Sequence, residues 1–321
     1  MSGMKKYLVC VLCVTLLVSC DFGKTNAKKI ESRIEKKILK EIKKKARESW
    51  KDLETGQKHQ EQESEVEIIH DTLLFAAKLE NRSEQLLTRT GYVTSYNKDY
   101  KIPNWVGWIL TDNHTSGPYK RNGLQFHEDE DVDYPRATHF DYMQSGYDRG
   151  HMCPAGDNKW NRDAIEETFL MTNICPQDGN LNKGDWNELE NKCRSWAKKM
   201  GKIYIVCGPI LYNKEHKRIG KSKVTVPEAF FKVVLCLEGN PKGIGFIYKN
   251  QSGNNNMNSY VNSIDQVERI TGIDFFSNLD ENIQNIAEAQ WTRRRMSTWF
   301  PKVRLQPRVF CRSLRPLRLR C

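Results

Sequence analysis

The sequence of 321 residues is long enough for one large hydrophobic core or two modest ones. Its formal net charge of +11 suggests a nucleic-acid partner until the excess is located: residues 291–321 hold ten Lys and Arg and no acid. Residues 84–290 carry 24 basic and 27 acidic side chains. Net charge therefore does not favour a polyanionic partner, and any basic groove must come from local arrangement.

The first twenty residues resemble a bacterial lipoprotein export signal. Lys5 and Lys6 precede thirteen uncharged, mostly apolar residues, a run that is too short to span a bilayer but fits a signal-peptide core. The Leu-Val-Ser-Cys sequence that ends at Cys20 resembles a lipobox. We expect residues 1–19 to be removed and Cys20 to carry a lipid anchor that holds the exported protein in the bacterial cell envelope, at the outer membrane or the cell surface. A plain secretory signal is the alternative.

Residues 20–83 are predicted to form a charged helical linker between this anchor and a globular domain. Ile30, Ile34, Ile38 and Ile42 recur at every fourth position within a Lys- and Glu-rich stretch, which gives a narrow apolar stripe on a charged helix. The stripe fits a helix that docks on its own domain or acts as a membrane spacer. A self-associating coiled coil is the alternative, although strict heptads are not evident.

Export also bears on the cysteines. When the signal, the anchor and the C-terminal tail are set aside, five cysteines remain, at positions 153, 175, 193, 207 and 236. An oxidising compartment favours disulfides, so we expect one or two, with at least one thiol left free. None of the five has the CxxC spacing of a zinc site, which argues against zinc.

From about residue 84 the sequence predicts a domain of strands interrupted by one strong helix. Apolar or alternating runs predict strands at residues 92–96, 104–111, 203–211, 229–237 and 243–248. Three-to-four spacing of apolar residues predicts helices at residues 184–200 and 259–271. This order predicts an α+β fold with a mainly antiparallel central sheet and flanking helices, in a domain that covers residues 84–290.

The stretch YDRGHMCPAGD at residues 147–157 brings an acid, a base, an imidazole and a thiol close together. Three kinds of chemistry are open: a Cys153–His151 nucleophile, a serine triad that uses Asp148 and His151, or metal ligation. The first lacks an evident activating partner, and the second lacks the Gly-x-Ser-x-Gly turn. An ion pair beside a loop histidine is the structural alternative, and the local sequence does not choose among them.

Asn182 and Glu190 form a second candidate site. They are eight residues apart, slightly over two helical turns, so both face nearly the same direction on a helix. An amide near the positive end of a helix and a carboxylate on the same face can hold a hydrated divalent cation. The structural alternative is an N-cap at Asn182 and a solvated charge at Glu190.

Four segments, taken together, resemble one known family. In chain order they are Arg121-Asn, Asp148-Arg-Gly-His, Thr172-Asn-Ile-x-Pro-Gln and Asn182-x-Gly-x-Trp-x-x-Leu-Glu. Their order and spacing resemble the DNA/RNA non-specific endonuclease family, which includes endonuclease G and has a ββα-metal, or His-Me finger, active site. The resemblance covers residues 84–290.

The resemblance implies a role for each matching residue. His151 matches the family's general base, Asn182 its direct magnesium ligand, and Glu190 the acid that holds metal-bound water. A neutral imidazole with a pKa of about 6.5 can take a proton from water at neutral pH, so activity is expected to drop when acid protonates His151. Mg²⁺, for which Mn²⁺ can substitute, retains several waters, which suits one amide ligand with a carboxylate behind the water.

Three further positions match the family. Arg149 precedes the Gly-His pair, Arg121 matches an upstream arginine on the phosphate side, and Asn173 matches an active-site asparagine. The two guanidinium groups suit phosphate oxygens, and Gly150 would let the backbone come close to the phosphate. The acidic run at residues 128–133 departs from the family pattern, either as a solvated loop or as a segment that weakens affinity for polyanions.

The resemblance therefore predicts an exported, lipid-anchored, Mg²⁺-dependent enzyme that hydrolyses phosphodiester bonds of DNA and RNA with little sequence preference. Two alternatives stay open. One is a phosphodiesterase or pyrophosphatase that acts on small nucleotides, and the other is a nucleic-acid-binding lipoprotein whose active site has been lost. All the predicted catalytic positions are present, which argues against the second.

The resemblance ends before residues 291–321. This tail is rich in Arg, whereas the rest of the chain favours Lys, and it contains no acid. The change suggests coding of a different origin, or a basic arm that binds phosphates. We expect a disordered appendage that contributes little to catalysis or stability.

Overall fold

Strands dominate the computed structural model, which describes Leu73 and residues 75–288. The strands are β1 Gln85–Thr88, β2 Val93–Asn97, β3 Ile102–Thr111, β4 Asp148–His151, β5 Ile174–Gln177, β6 Lys202–Ile210, β7 Arg218–Ile219, β8 Val224–Thr225, β9 Ala229–Cys236, β10 Lys242–Lys249 and β11 Val261–Asn262. Seven of them form one sheet in the order β1-β2-β3-β6-β9-β10-β11, with every neighbouring pair antiparallel. The predicted α+β fold with a mainly antiparallel sheet is confirmed.

Helices cover the sheet. They are α1 Asp112–Thr115, α2 Arg162–Glu167, α3 Gly179–Leu181, α4 Asn187–Met200, α5 Ile264–Thr271 and α6 Glu281–Glu288. A π-helical turn, Asn182–Trp186, joins α3 to α4. Within the described residues, no helix has the length and apolar character needed to cross a membrane.

The central strands are buried on both faces. Strands β3, β6 and β9 have almost no exposed residue, which explains why the sequence shows continuous apolar runs there and not simple alternation. Trp108 and Phe230 point into one core, whereas Trp105 and Phe231 point into the other. Neighbouring side chains along a strand thus supply opposite faces of the sheet.

Helix α4 covers the face of the sheet that carries Trp108 and Phe230. Its buried residues recur at three-to-four spacing: Leu189, Cys193, Trp196 and Ala197. Gly201, with φ +88, ends the helix in a conformation that favours glycine. The helix predicted at residues 184–200 is confirmed, but its first turn is irregular because Gly184 has the non-helical angles φ −98 and ψ −109.

Helix α5 packs on the opposite face through Ile264 and Val267. We expected this helix from residue 259, but it begins at Ile264. The preceding residues instead extend the sheet, since Asn262 pairs with Gly245 of β10. Ser263 Oγ then caps the helix by accepting from Gln266 N, and Gln266 Oε1 accepts from Ser263 N, which completes a capping box.

A small second sheet pairs β4 with β5, and the sequence did not predict it. Gly150 faces Cys175 in this antiparallel register. A Cβ atom at Gly150 would lie 2.3 Å from Gln177 Oε1 and 2.6 Å from Gln177 Cβ. Gly150 therefore has a packing reason of its own, since only glycine lets β4 approach Gln177 this closely; the approach of a phosphate at this position stays a prediction.

The expected disulfides are absent from the described part of the chain, so that prediction is wrong. Its five cysteines are all buried free thiols: Cys153, Cys175, Cys193, Cys207 and Cys236. Some already have polar partners, since Cys207 Sγ donates to the Met152 carbonyl at 3.3 Å and Cys153 Sγ accepts from Asn158 Nδ2 at 3.2 Å. The thiols behave as small core side chains and not as cross-links.

Residues ahead of the predicted boundary at 84 also join this fold. The Phe75 ring lies 6.4 Å from the Trp105 ring, Leu79 is buried, and Ala77 N donates to Asp274 O at 2.9 Å. The predicted signal peptide, Cys20, nearly all of the linker before residue 75 and the tail at residues 291–321 lie outside the described residues.

Candidate active site

One pocket of about 830 Å³ brings most of the predicted site residues together. Strand β4 supplies Arg149 and His151, the helical segment after β5 supplies Asn182 and Glu190, and the loop after α1 supplies Arg121. The lining is strongly basic. It contains six cationic side chains, Lys120, Arg121, Arg149, Lys159, Lys183 and Arg194, against two carboxylates, Asp148 and Glu190. Local arrangement thus creates the basic surface that the near-neutral domain composition concealed.

His151 is held between two aromatic rings. Its ring centroid lies 5.1 Å from the centroids of both Phe126 and Phe169. Burial, with a smaller contribution from the positive charge of Arg121, lowers the pKa of His151 to about 3. Its Nε2 atom is enclosed by protein and has no hydrogen-bond partner among the residues that the structure describes. The imidazole is therefore neutral at neutral pH.

Asn182 is held by Asp148 across the pocket. Its Nδ2 donates to Asp148 Oδ2 at 3.1 Å, and Lys183 Nζ lies 3.5 Å from the same carboxylate oxygen. Asn182 is not the N-cap that the sequence allowed, because Asp178 accepts the hydrogen bonds from the first free N–H groups of α3. The π-helical turn then turns Asn182 toward the pocket.

Glu190 lines the same pocket with only 12% of its side chain exposed. Burial raises its pKa to about 7, opposed by the charge of Lys232 and, less strongly, of Arg194 and Arg121. Arg194 NH2 lies 3.9 Å from Glu190 Oε2, one helical turn away. Glu190 thus sits among cations that favour its carboxylate form, in a site whose burial disfavours it.

Asp157 connects this helix to the sheet. Arg194 NH1 donates to Asp157 Oδ1 at 2.7 Å, and Trp108 Nε1 donates to Asp157 Oδ2 at 3.1 Å. Asp157 is buried, and burial raises its pKa against the opposing charge of Arg194. These bonds fix the Arg194 guanidinium at the edge of the pocket.

Lys232 lies beneath the site, in the core. It is fully buried on β9, with Nζ 4.3 Å from the centroid of the Trp186 ring and 5.3 Å from that of Trp108. No described residue forms a hydrogen bond with Nζ. The faces of two indole rings therefore provide much of the environment of this buried cation.

The charge on Lys232 is balanced by nearby acids. Burial lowers the pKa of Lys232, but Cys207, Glu190 and Asp157 outweigh burial and the pKa is raised. Burial also raises the pKa of Cys207 to about 12, so that thiol is uncharged at neutral pH. The two carboxylates therefore supply the attraction that keeps Lys232 protonated.

The predicted arginines pack against the rings that hold His151. Arg149 Cζ lies 4.8 Å from the centroid of Phe126, and Arg121 Cζ lies 6.0 Å from that of Phe169. Both distances are within the range of a cation–π contact. The aromatic pair thus orients the imidazole and two guanidinium groups together.

Asn173 lies behind the pocket and is not among its lining residues. It is fully buried, accepts from Cys153 N at 2.9 Å, and donates to Cys153 O at 2.8 Å and Thr168 O at 2.9 Å. These three bonds use the amide fully and fix the backbone two residues after His151. Cys153 is buried beside it, away from the pocket.

The acidic run at residues 128–133 is a folded loop held by two arginines. Arg89 contacts Asp129 at 2.6 Å and Asp131 at 2.5 Å, and Arg136 contacts Glu128 at 2.8 Å. This loop lines a separate pocket of about 670 Å³ that shares Phe126 with the site. The acidic run therefore lies on one flank of the basic pocket, with two arginines paired to it.

Three of the residues missed in the sequence set the charge around Glu190: Arg194, Asp157 and Lys232. Arg194 could have been found, because it lies four residues after Glu190 and such pairs meet on a helix. Asp157 and Lys232 carry no local signal. Their place in the site depends on contacts between segments that are far apart in the chain.

The pocket combines a β-pair that presents a neutral imidazole with a following helix that presents an amide and a carboxylate, the arrangement that the resemblance to a ββα nuclease predicts. The chain belongs to the DNA/RNA non-specific endonuclease family, whose sequence model matches residues 71–282. It is thus a hydrolytic endonuclease of DNA and RNA, as the sequence predicted.

Similar proteins support this membership. A nuclease from Nostoc sp. is 32% identical over 216 residues, which cover 64% of this chain and 78% of that protein. Nuclease C1 from Cunninghamella echinulata is 34% identical over a match that covers 62% of this chain and 85% of that protein. Mitochondrial endonuclease G from Bos taurus is 35% identical over 161 residues, which cover 47% of this chain and 54% of that protein. A chain in the solved structure of the EndoG/EndoGI complex matches with a TM-score of 0.58 at 30% identity. The match covers 62% of this chain and 88% of that one.

Proposed function

We propose that the basic pocket hydrolyses phosphodiester bonds of DNA and RNA with little sequence preference and with the help of Mg²⁺. The observation that carries the proposal is the meeting of His151, Asn182 and Glu190 in one pocket where cationic side chains outnumber carboxylates six to two. Such an excess attracts a polyanion through its phosphates, which are the same in every sequence.

In this proposal His151 accepts a proton from the attacking water. Burial and Arg121 keep the imidazole neutral, as a general base must be. Because Nε2 is enclosed, Nδ1 is the ring nitrogen left to contact that water. Phe126 and Phe169 hold the ring, so little reorganisation is needed when substrate binds.

Asn182 and Glu190 fit a hard divalent cation. Among the described residues the Asn182 amide oxygen has no hydrogen-bond partner, since its nitrogen is the atom that contacts Asp148. In the described part of the chain, no group of three His, Cys, Asp or Glu side chains could hold a metal ion. The site therefore suits a cation that keeps most of its bound waters and needs few protein ligands. When bound, Mg²⁺ or Mn²⁺ supplies Lewis-acid stabilisation of charge on the phosphate.

Three arginines support binding of the phosphate. Arg149 and Arg121 reach the pocket from the aromatic side, and Arg194 reaches it from α4. Planar guanidinium groups donate in pairs to phosphate oxygens. Asn173 has a positioning role in this scheme, since it fixes the backbone beside His151.

We also propose that the enzyme is exported and held at the bacterial cell envelope by a lipid on Cys20. The support is the apolar run followed by the lipobox-like Leu-Val-Ser-Cys. Fractionation of cells that express the protein tests this proposal. Wild type is expected in the membrane fraction, and Cys20→Ala is expected to move the protein out of it; equal membrane retention of both would reject the anchor.

Digestion of a closed circular plasmid and of a long RNA, each with Mg²⁺ and with excess EDTA, tests the catalytic proposal. Cleavage of both substrates only with the metal is expected, and conversion of closed circles to nicked and linear forms identifies endonucleolytic cuts. Full activity in EDTA would reject the metal requirement. Hydrolysis of mononucleotide esters without cleavage of either polymer would favour the small-nucleotide alternative.

A further inference from the structure

A pocket of about 650 Å³, distinct from the one beside the acidic loop, adjoins the catalytic pocket. Met143 lines both pockets, and Phe140 lines the second one. Both side chains are unusually exposed for apolar residues, 65% for Phe140 and 61% for Met143. An apolar pair on the rim of a basic, polyanion-binding pocket has no packing role that explains it.

The backbone beneath this pair is rigidly held. Thr138 and Asp141 form a capping box across the turn, and Asp141 Oδ1 also accepts from Ser222 N at 2.8 Å. Tyr142 is buried, and its hydroxyl donates to Ile174 O at 3.4 Å. The Phe140 ring itself packs against His139, with centroids 3.9 Å apart. The exposed ring is thus preorganised and not a mobile loop tip.

Charge decides on which side a nucleic-acid strand can leave the catalytic pocket. The flank beyond Phe126 carries four carboxylates, at residues 128–131, against the guanidinium groups of Arg89 and Arg136, so its net charge is negative. The flank beyond Met143 carries Lys221, whose pocket also contains Asp141, and Lys217 adds a second cation 4.7 Å from the Tyr147 ring at the boundary. A phosphate backbone is therefore repelled from the first flank and attracted to the second.

We propose that Phe140 and Met143 form a stacking subsite for an unpaired nucleobase next to the scissile phosphate, with Lys217 and Lys221 contacting the adjoining backbone. This subsite rests on the proposed cleavage of nucleic acid in the basic pocket. A base has a free face only in a single strand, so the subsite selects single-stranded DNA and RNA over a paired duplex. It is independent of sequence, because every base has a π-face.

Binding measurements in EDTA test the subsite without cleavage. The full-length Phe140→Ala/Met143→Ala variant is compared with wild type by fluorescence anisotropy, on a labelled single-stranded 12-mer and on the corresponding duplex. We expect the affinity for the single strand to fall about tenfold, whereas the affinity for the duplex changes less than about twofold. A strand containing 2-aminopurine should be quenched on binding wild type and Phe140→Trp, but not the double variant.

Ile270→Ala is the matched control, since Ile270 is an apolar residue of α5, 50% exposed, on the opposite face of the sheet. It should alter neither affinity. Unchanged single-strand binding by the double variant would overturn the subsite, and an equal loss for duplex would overturn base stacking in favour of backbone contact. If wild type binds neither substrate, the proposed function itself has failed. If wild type binds and cuts both substrates, and the double variant binds the single strand as tightly as wild type does, only the subsite has failed.

Discussion

The amide nitrogen of Asn182 donates a hydrogen bond to Asp148 Oδ2 at 3.1 Å. The amide oxygen of Asn182 has no hydrogen-bond partner among the described residues, so it is available to a ligand. Asp148 begins strand β4, whereas Asn182 lies in the π-helical turn after β5. This single bond therefore ties the strand that carries His151 to the helix that carries Glu190.

Asn182→Ala should sharply raise the Mg²⁺ concentration needed for half-maximal activity, because it removes the proposed direct ligand. Asp148→Ala should raise it about 10–100-fold, the usual effect of losing a partner that orients a ligand. Titration of activity with Mg²⁺, together with calorimetric Mg²⁺ binding, measures both. Asn282→Ala, at an exposed amide of α6 that does not line the pocket, is the control. Unchanged Mg²⁺ affinity in Asn182→Ala would reject the ligand assignment.

His151→Ala should reduce kcat by about 10²–10⁴-fold, the contribution of general acid–base catalysis. Affinity for DNA measured in EDTA should stay close to that of wild type, because His151 is uncharged and contributes no ion pair. Retention of more than about a tenth of wild-type activity by a purified, folded variant would contradict its role as the base.

Activity should fall as the pH drops through about 7, and Glu190 is the group responsible. Its pKa is raised to about 7, so acid removes its negative charge in that range, whereas His151, with a pKa of about 3, stays neutral. This differs from the expectation that His151 protonation limits activity. Because Mg²⁺ competes with the proton at this site, a higher Mg²⁺ concentration should move the acid limb to lower pH. A limb near pH 6.5 that does not respond to Mg²⁺ would contradict this assignment.

Protonation of Glu190 should affect stability and activity in opposite directions: it lowers activity but stabilises the folded protein. The folded-state pKa of Glu190 lies above its ordinary value, so its protonation contributes stability that is fully present below about pH 4.5 and is lost as pH rises through about 7. In metal-free protein, Glu190→Gln should therefore reduce the loss of Tm between pH 5 and pH 8. A variant with the same pH dependence as wild type would show that Glu190 titrates at an ordinary pKa.

Lys232→Met should lower the free energy of unfolding by about 3–5 kcal/mol, because it removes one cation from a buried group of charges and leaves the carboxylates in excess. Met keeps most of the side-chain volume between Trp186 and Trp108, so the loss reports charge more than packing. Lys198→Met, at a largely exposed ion pair with Asp112, should change stability by less than about 1 kcal/mol. Denaturant titration compares the two, and equal effects would contradict the role of Lys232.

The thiols of the domain should all react when the protein is denatured without a reductant. Alkylation followed by peptide mass spectrometry is expected to label Cys153, Cys175, Cys193, Cys207 and Cys236. In native protein the same five should be protected, since all are buried. Recovery of any two of them as a disulfide-linked peptide from freshly purified protein would contradict the structure.

The sequence alone determined five of the seven strands of the central sheet and the long helix, because burial on both faces leaves apolar runs and burial on one face leaves a three-to-four spacing. It did not predict the two edge strands, β1 and β11. The resemblance of local motifs also predicted His151, Asn182 and Glu190 as site residues, and the structure brings the three into one pocket. Such signals exist because neighbouring positions on one strand or helix share an environment.

Only the tertiary structure decided the pairing of β4 with β5, the free state of the thiols and the electrostatics of the site. Phe126 and Phe169 bury His151, and Lys232 and Asp157 set the charge around Glu190, yet each comes from a different part of the chain. A sequence pattern reports the face that a residue presents and not what packs against that face. Burial and charge from distant segments lower the pKa of His151 and raise that of Glu190, and neither effect can be read from the local sequence.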